Sequence, residues 1–249
     1  MIVYGVNPVL EALRSGRVRR VRVGPRLDRR VEDAIALARK HNVPVEHVDV
    51  PALARASRGG VHQGIVAELD APRQWSLEEL IAGAHPDAPL IVVLDGVEDP
   101  HNVGAIIRTA DGAGAHGIVR QARHAASLDG IAAKASAGAV ASARIATVVN
   151  VARAIEELKE LNVWTVGLTD AATDRYDDVD LTLPTAIVLG AEGVGLRRLI
   201  RERCDRLASI PMAGSVESLN VSVAAGVMLY EAARQRKGKR EKGQGRTRG

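Results

Sequence analysis

From Leu90 onward, short apolar runs alternate with stretches whose apolar residues recur at helical spacing, and that alternation admits few folds. Residues 90–94 are hydrophobic at every position, as in a strand covered on both faces. A helix from Val103, a strand near Ile118, a helix over 132–139, a strand over 145–149 and a helix over 151–161 are predicted next. A strand over 163–168, a strand over 186–189, a helix near 196–203, a strand over 207–210 and a last helix over 221–234 complete the pattern. Buried strands separated by helices predict an α/β fold with a doubly wound, mostly parallel sheet.

The first 70 residues alternate on a smaller scale. Asn7-Pro8 reads as a capping residue followed by proline at the first helical position. A strand over 18–23, a helix over 28–41 burying Val31, Ile35 and Ala38, a strand over 43–48, a short helix after Pro51 and a strand over 65–69 follow. Residues 1–70 therefore read as a small α/β domain. Residues 71–89 contain Pro72, Pro86 and Pro89 and a single short helix announced by the capping box Ser76-x-x-Glu79, so they read as a linker. Residues 90–236 form the second domain in this reading. Residues 237–249 lack apolar side chains and read as a basic, disordered tail.

The chain carries a formal charge of +4, but its distribution is more informative than the total. The stretches 14–30 and 234–249 each hold eight Lys or Arg against one acid, leaving an acidic centre. Basic ends of this kind either contact a polyanion or simply stay solvated. Aromatic residues make up 2% and Phe is absent, which argues against recognition by bases stacked on a sheet of aromatics. One cysteine, Cys204, excludes an intramolecular disulfide and a thiolate cluster, and is read as structural. The scattered histidines lack ligand spacing, so no metal is expected. No apolar run approaches the roughly 18 residues of a membrane span, and a soluble, cytoplasmic protein without a membrane partner is expected.

Three strand-to-helix loops fall where open α/β sheets bind ligands. In D-G-V-E-D-P-H-N-V-G-A-I-I-R-T, Asn102 is placed to cap the following helix and Arg108 to share a face with Asn102 and Gly104. By itself Arg108 reads first as a solvated surface cation. In L-G-A-E-G-V-G-L, glycines 190, 193 and 195 surround Glu192, in an order that is not the dinucleotide fingerprint. In I-P-M-A-G-S-V-E-S-L-N, Pro211 and Gly214 shape a turn, and Asn220 stands at a helix N-cap. By itself that stretch is an ordinary capped loop.

Taken in order, N-x-G-x-x-x-R-T, L-G-A-E-G-x-G and I-P-M-x-G-x-x-x-S-L-N-V-S resemble the three motifs of the SpoU (TrmH) branch of the SPOUT RNA methyltransferases. Y-G-V-N-P-V-L-E-A-L and G-V-H-Q-G resemble the substrate-binding domain of its ribosomal-RNA members, a domain similar to ribosomal protein L30e. The resemblance covers almost the whole chain and is closest to the 23S rRNA guanosine 2′-O-methyltransferases. It implies an L30e-like N-terminal domain, a C-terminal SPOUT domain with a deep trefoil knot, and a homodimer. It also implies S-adenosylmethionine bound by Gly190, Ile210, Met212 and Leu219, with small residues from Ala213 to Ser215 letting backbone pass close to backbone. Asn102, Arg108, Glu192 and Asn220 become catalytic candidates, and Asn7, His62, Gln63 and Arg108 RNA contacts. His62 and Gln63 read equally as stabilisers of a turn. In the family's pattern Arg108 is the proposed proton acceptor, yet a guanidinium releases its proton only at high pH. Stabilising alkoxide charge and gripping a phosphate is the easier role, with Glu192 an alternative base. A tRNA substrate and a non-catalytic RNA-binding or ribosome-assembly protein are the alternatives.

Overall fold

The computed structural model describes residues 1–26, 28–70 and 73–245, with side chains as far as residue 239. In chain order the elements are β1 (Ile2–Tyr4), α1 (Val6–Arg14), β2 (Val18–Val23), α2 (Arg29–Lys40), β3 (Val45–His47), α3 (Val50–Ala56) and β4 (Ile65–Leu69). They continue as α4 (Leu77–Ala82), β5 (Leu90–Asp95), α5 (Pro100–Gly112), β6 (Gly117–Gln121), α6 (Ile131–Ala135), a 3-10 turn (Ala139–Ala141), β7 (Ile145–Val148) and α7 (Val151–Glu160). Last come β8 (Trp164–Leu168), β9 (Thr185–Gly190), α8 (Arg198–Arg203), β10 (Arg206–Ala208) and α9 (Val221–Gly245). The chain divides into two compact units. The first takes Met1–Arg73, Asp99–Arg108 and Ala126–Ala143, and the second takes Gln74–Glu98, Thr109–Ala125 and Arg144–Gly249.

The first unit holds a mixed four-stranded sheet in the order β1-β4-β2-β3, in which only β2 and β3 run parallel. Alternation, with a register shift between Val18 and Arg20, sets its faces: Val18, Val21 and Val23 are buried, while Arg20 and Arg22 on the other side pair with Glu46 and Glu68. Hydrogen bonding and attraction by Arg20 and Arg22 hold the Glu46 and Glu68 carboxyls below their ordinary range. Two helix starts show how local chemistry decides. Asp28 caps α2 by accepting from the Val31 N–H at 2.9 Å. Asn7 does not cap α1: Gly5 occupies that position, and the Val6 N–H donates to Gln63 Oε1 at 3.0 Å. The unit also draws in segments far along the chain, which a boundary at residue 70 does not foresee.

The second unit is built on a six-stranded parallel sheet in the order β10-β8-β9-β5-β6-β7. Every residue of β5 and β9 is buried, the physical counterpart of the apolar runs 90–94 and 186–189 that make up most of them. Residues 71–89 do more than link: Leu77 and Leu80 of α4 lie in the core with Ile91, Val93, Val119 and Ile155. The Ser76–Glu79 capping box that starts this helix forms as read, with the Glu79 N–H on Ser76 Oγ and the Ser76 N–H on Glu79 Oε2. The chain's end also departs from expectation. Helix α9 continues to Gly245 instead of dissolving near residue 237, because Lys, Arg, Glu and Gln are good helix formers even without an apolar stripe. Residues 246–249 of the expected tail lie outside the described residues. No helix among the described residues is long and apolar enough to cross a membrane.

Candidate active site

Register brings the loops of the second unit together. Asp95 ends β5 directly opposite Gly190 at the end of β9, so the connections leaving both strands start side by side at the carboxyl edge. The Gly190–Leu196 connection folds back on itself: the Gly195 N–H donates to the Ala191 carbonyl at 2.8 Å, and Gly193 and Gly195 take φ of +73° and +66°. A Cβ on Gly190 would lie 2.1 Å from the Gly195 carbonyl carbon and 2.3 Å from the Leu196 nitrogen. Backbone passes over backbone there, whereas a Cβ on Gly214 would face open space.

A cavity of about 220 Å3 opens beside this crossing. Gly190, Glu192, Ile210, Met212 and Leu219, all singled out in the sequence, line it together with Leu168, Asp170, Arg201 and Glu217. Its walls are apolar where β8, β9 and the stretch after β10 meet, and charged groups stand around them. Asn220 is the helix cap the sequence predicts: its Oδ1 accepts from the Ser222 N–H at 2.9 Å and the Ser222 hydroxyl at 2.6 Å, and its carbonyl receives the Val223 and Ala224 N–H groups. Its amide also donates to Glu192 Oε1, joining two of the predicted residues.

Asn102 and Arg108 belong to the first unit. Asn102 is buried in the first turn of α5 and does not cap it. Asp99 does: its carboxylate accepts from the His101 N–H at 3.0 Å and its carbonyl from the Val103 N–H, with Pro100 opening the helix. Gly104 on the same helix lets α6 approach closely, since a Cβ there would meet the Ala132 carbonyl at 2.5 Å. Arg108 is exposed. Of the N-terminal candidates, Asn7 is exposed and accepts from Arg30, and His62 Nδ1 accepts from the Gly64 N–H at 3.1 Å. Gln63 holds the start of α1, so His62 and Gln63 both bond to local backbone whereas Asn7 bonds to a side chain.

An ion pair that sequence reasoning missed supports the cavity. The Asp95 side chain is fully buried, receives the Arg197 backbone N–H at 3.1 Å and pairs with its guanidinium, Nε to Oδ1 at 2.7 Å. Arg197 also donates to Gln121 Oε1 at 3.2 Å. The end of the glycine loop is thereby fastened to β5 and β6. A lone carboxylate closing the apolar run L-I-V-V-L-D was the available signal. Behind the loop, Thr165 donates its N–H and hydroxyl to Asp205 at 2.8 and 2.7 Å. Burial alone would raise the Asp205 carboxyl, but these bonds and Lys159 bring it below the usual range. Burial pushes the neighbouring Cys204 thiol up to about 12, as for an inert, structural residue. Among the described residues no group of three or more His, Cys, Asp or Glu is placed to hold a metal.

The sequence profile of the SpoU rRNA Methylase family matches residues 89–230, and that of RNA 2'-O ribose methyltransferase substrate binding matches residues 2–75. The chain is 43% identical to the 23S rRNA (guanosine-2'-O-)-methyltransferase RlmB of Pseudomonas putida, over 96% of its own length and 98% of that protein's. Among solved structures it resembles the SpoU methyltransferase AviRb from Streptomyces viridochromogenes in complex with the cofactor AdoMet, with a TM-score of 0.81 and 29% identity. That match covers 96% of this chain and 91% of AviRb. The AdoMet-bound rRNA methyltransferase from Sinorhizobium meliloti is similar at a TM-score of 0.75 and 28% identity, covering 94% of this chain and 86% of the other.

Proposed function

Since this chain belongs to the SpoU rRNA methylase family, we propose that it transfers a methyl group from S-adenosylmethionine to the ribose 2′-hydroxyl of a guanosine in 23S rRNA. The observation that carries this reading is the 43% identity to an RlmB enzyme across nearly the full length of both chains. The trefoil knot, the homodimer and the cytoplasmic location implied by the family's pattern belong to the same proposal. So does the division of labour between an RNA-binding N-terminal segment over 1–70 and a methyltransferase domain over 90–236.

The cavity's residues fit the cofactor. Leu168, Ile210, Met212 and Leu219 offer apolar walls for an adenine, while Gly190 places main chain where a side chain would collide. Asp170, Glu217 and Arg201 supply polar groups for ribose hydroxyls and an amino-acid end. When bound, S-adenosylmethionine supplies an electrophilic methyl on a sulfonium. The protein's task is to orient the 2′-hydroxyl in line with that methyl and to lower the cost of its developing negative charge. Orientation of this kind contributes up to about 7–11 kcal/mol in intramolecular models. We assign charge stabilisation and a grip on the adjacent phosphate to Arg108, the proton passing to water or phosphate. Asn102 and Asn220 orient the loops. Glu192, bonded to Asn220, is held in place and is the alternative base. Asn7, His62 and Gln63 keep a proposed role in RNA contact through atoms not used in their local bonds.

The test is transfer of tritiated methyl from S-adenosylmethionine into unmodified 23S rRNA, followed by mapping of the 2′-O-methyl. Wild type should label one guanosine, and Arg108→Ala should lose at least about a hundredfold in rate while still binding the cofactor, the loss typical of removing a stabilising donor. Labelling of a base or of no RNA by wild type would refute the function. Equal rates in the two proteins would refute the role of Arg108.

A further inference from the structure

The nine residues of α9 from Lys237 to Gly245 include no hydrophobic side chain, so packing cannot be what this end of the helix serves. Immediately before it the helix is fastened. Arg236 donates from Nε to the Leu181 carbonyl at 2.9 Å, from Nη2 to those of Pro89 and Leu183 at 2.9 and 2.8 Å, and from Nη1 to that of Ala88. Gln235 adds a bond from Nε2 to the Val179 carbonyl at 3.0 Å and receives the Leu181 N–H at 2.9 Å. Ala88 and Pro89 lead into β5 and Leu183 leads toward β9. The anchor therefore sits at the amino ends of the strands, whereas the cavity opens at their carboxyl ends.

Past the anchor the sequence contains Lys237, Lys239, Arg240, Lys242, Arg246 and Arg248 against the single acid Glu241. Lys239 Nζ donates to Thr182 Oγ1 at 3.3 Å, which occupies one of its three N–H groups. We propose that the end of α9 is a second RNA-contact surface, a phosphate-binding arm that Arg236 fixes to the second unit at the far end of the sheet from the reaction. The identity of the polyanion as rRNA rests on the proposed function. Its place in the fold sets its effect: it raises affinity for RNA without touching the reacting ribose or the cofactor.

The experiment compares full-length wild type with the full-length variant Lys237→Gln, Lys239→Gln, Arg240→Gln, Lys242→Gln, glutamine being as good a helix former as lysine. A variant with Lys→Arg at 237, 239 and 242 keeps the charge. Binding to a 23S rRNA fragment is titrated over salt, and kcat and both KM values are measured. Each cation that no longer neutralises a phosphate flattens the salt dependence by about 0.7 to 0.9, so the glutamine variant should lose about 3 in slope and at least about tenfold in affinity at 0.1 M salt. KM for RNA should rise while kcat and KM for S-adenosylmethionine stay at wild-type values, and the arginine variant should match wild type. A glutamine variant equal to wild type in slope and affinity, from an enzyme that methylates rRNA, overturns the arm and leaves the function standing. A wild type whose rRNA binding depends on these four residues but which transfers no methyl overturns the function and supports the arm.

Discussion

Gly190 shows how much a missing Cβ can decide. The atoms that a side chain at 190 would strike are backbone atoms of Gly195 and Leu196, which have no rotamer to escape into and are tied by the Gly195–Ala191 bond. Gly190→Ala should cost about 3 kcal/mol or more, at the upper end of overpacking effects, and abolish cofactor binding. Gly193→Ala meets no atom within 4 Å and should cost only about 1–2 kcal/mol for its left-handed backbone. Urea melts and calorimetric titration with S-adenosylmethionine separate the two, and equal losses would contradict the assignment of the crossing to Gly190. Cys204 answers to pH instead. Its thiol is raised from 9.0 to about 12 by burial, so the fold favours the neutral form. The stability it contributes is complete below pH 9 and disappears as pH rises through about 12. Cys204→Ala should therefore lose less stability than wild type between pH 9 and pH 11 in chemical melts, and parallel curves would refute it.

Elements were legible where one signal dominated. The central strands β5 and β9 read clearly because the unbroken apolar runs 90–94 and 186–189 have few other uses, and α2 reads clearly from the helical spacing of Val31, Ile35 and Ala38. Caps failed where two candidates competed. At Asn7-Pro8 the rule of a capping residue before proline misplaces the start of α1, because Gln63 from a distant turn already satisfies the Val6 N–H. The same rule, applied to Asp99-Pro100, gives the true start of α5 and frees Asn102 from capping. Helix α4 was legible as a helix but not as part of a core, since its two buried leucines are too few to reveal a partner in sequence. That partnership makes its cap measurable. Ser76→Ala removes the acceptor for the Glu79 N–H and should destabilise the protein by about 1 kcal/mol. A midpoint in urea indistinguishable from wild type would mean that α4 is not coupled to the cooperative core.

At the scale of the molecule, neither the motifs nor the sequence periodicity reveals that the first unit borrows from later parts of the chain. The hydrophobic pattern of residues 2–70 reads as a small α/β domain and so looks self-sufficient, whereas the segments that complete the unit read as helices of the alternation that follows residue 90. Their contributions are specific. The Ile2 N–H donates to Asp129 Oδ1 at 3.2 Å and the Ile2 carbonyl receives the Gly130 N–H at 3.2 Å, which covers part of the edge strand β1. Arg17 donates to the Ala141 carbonyl at 2.6 Å, and Gly138 lies against Pro8 and Glu11 of α1. A fragment of residues 1–75 keeps the four strands but forgoes all of these bonds. With about 0.5–1.5 kcal/mol for each of the three hydrogen bonds, the loss amounts to roughly 1.5–4.5 kcal/mol. On a domain of this size that corresponds to roughly 10 °C in Tm or more. Thermal melts of the fragment should show a depressed midpoint, and hydrogen exchange at the Ile2 amide should lose the protection it has in the full chain. A fragment melting as high as the corresponding region of the full protein, with Ile2 still protected, would show that the borrowed segments merely rest on a domain already complete at residue 70.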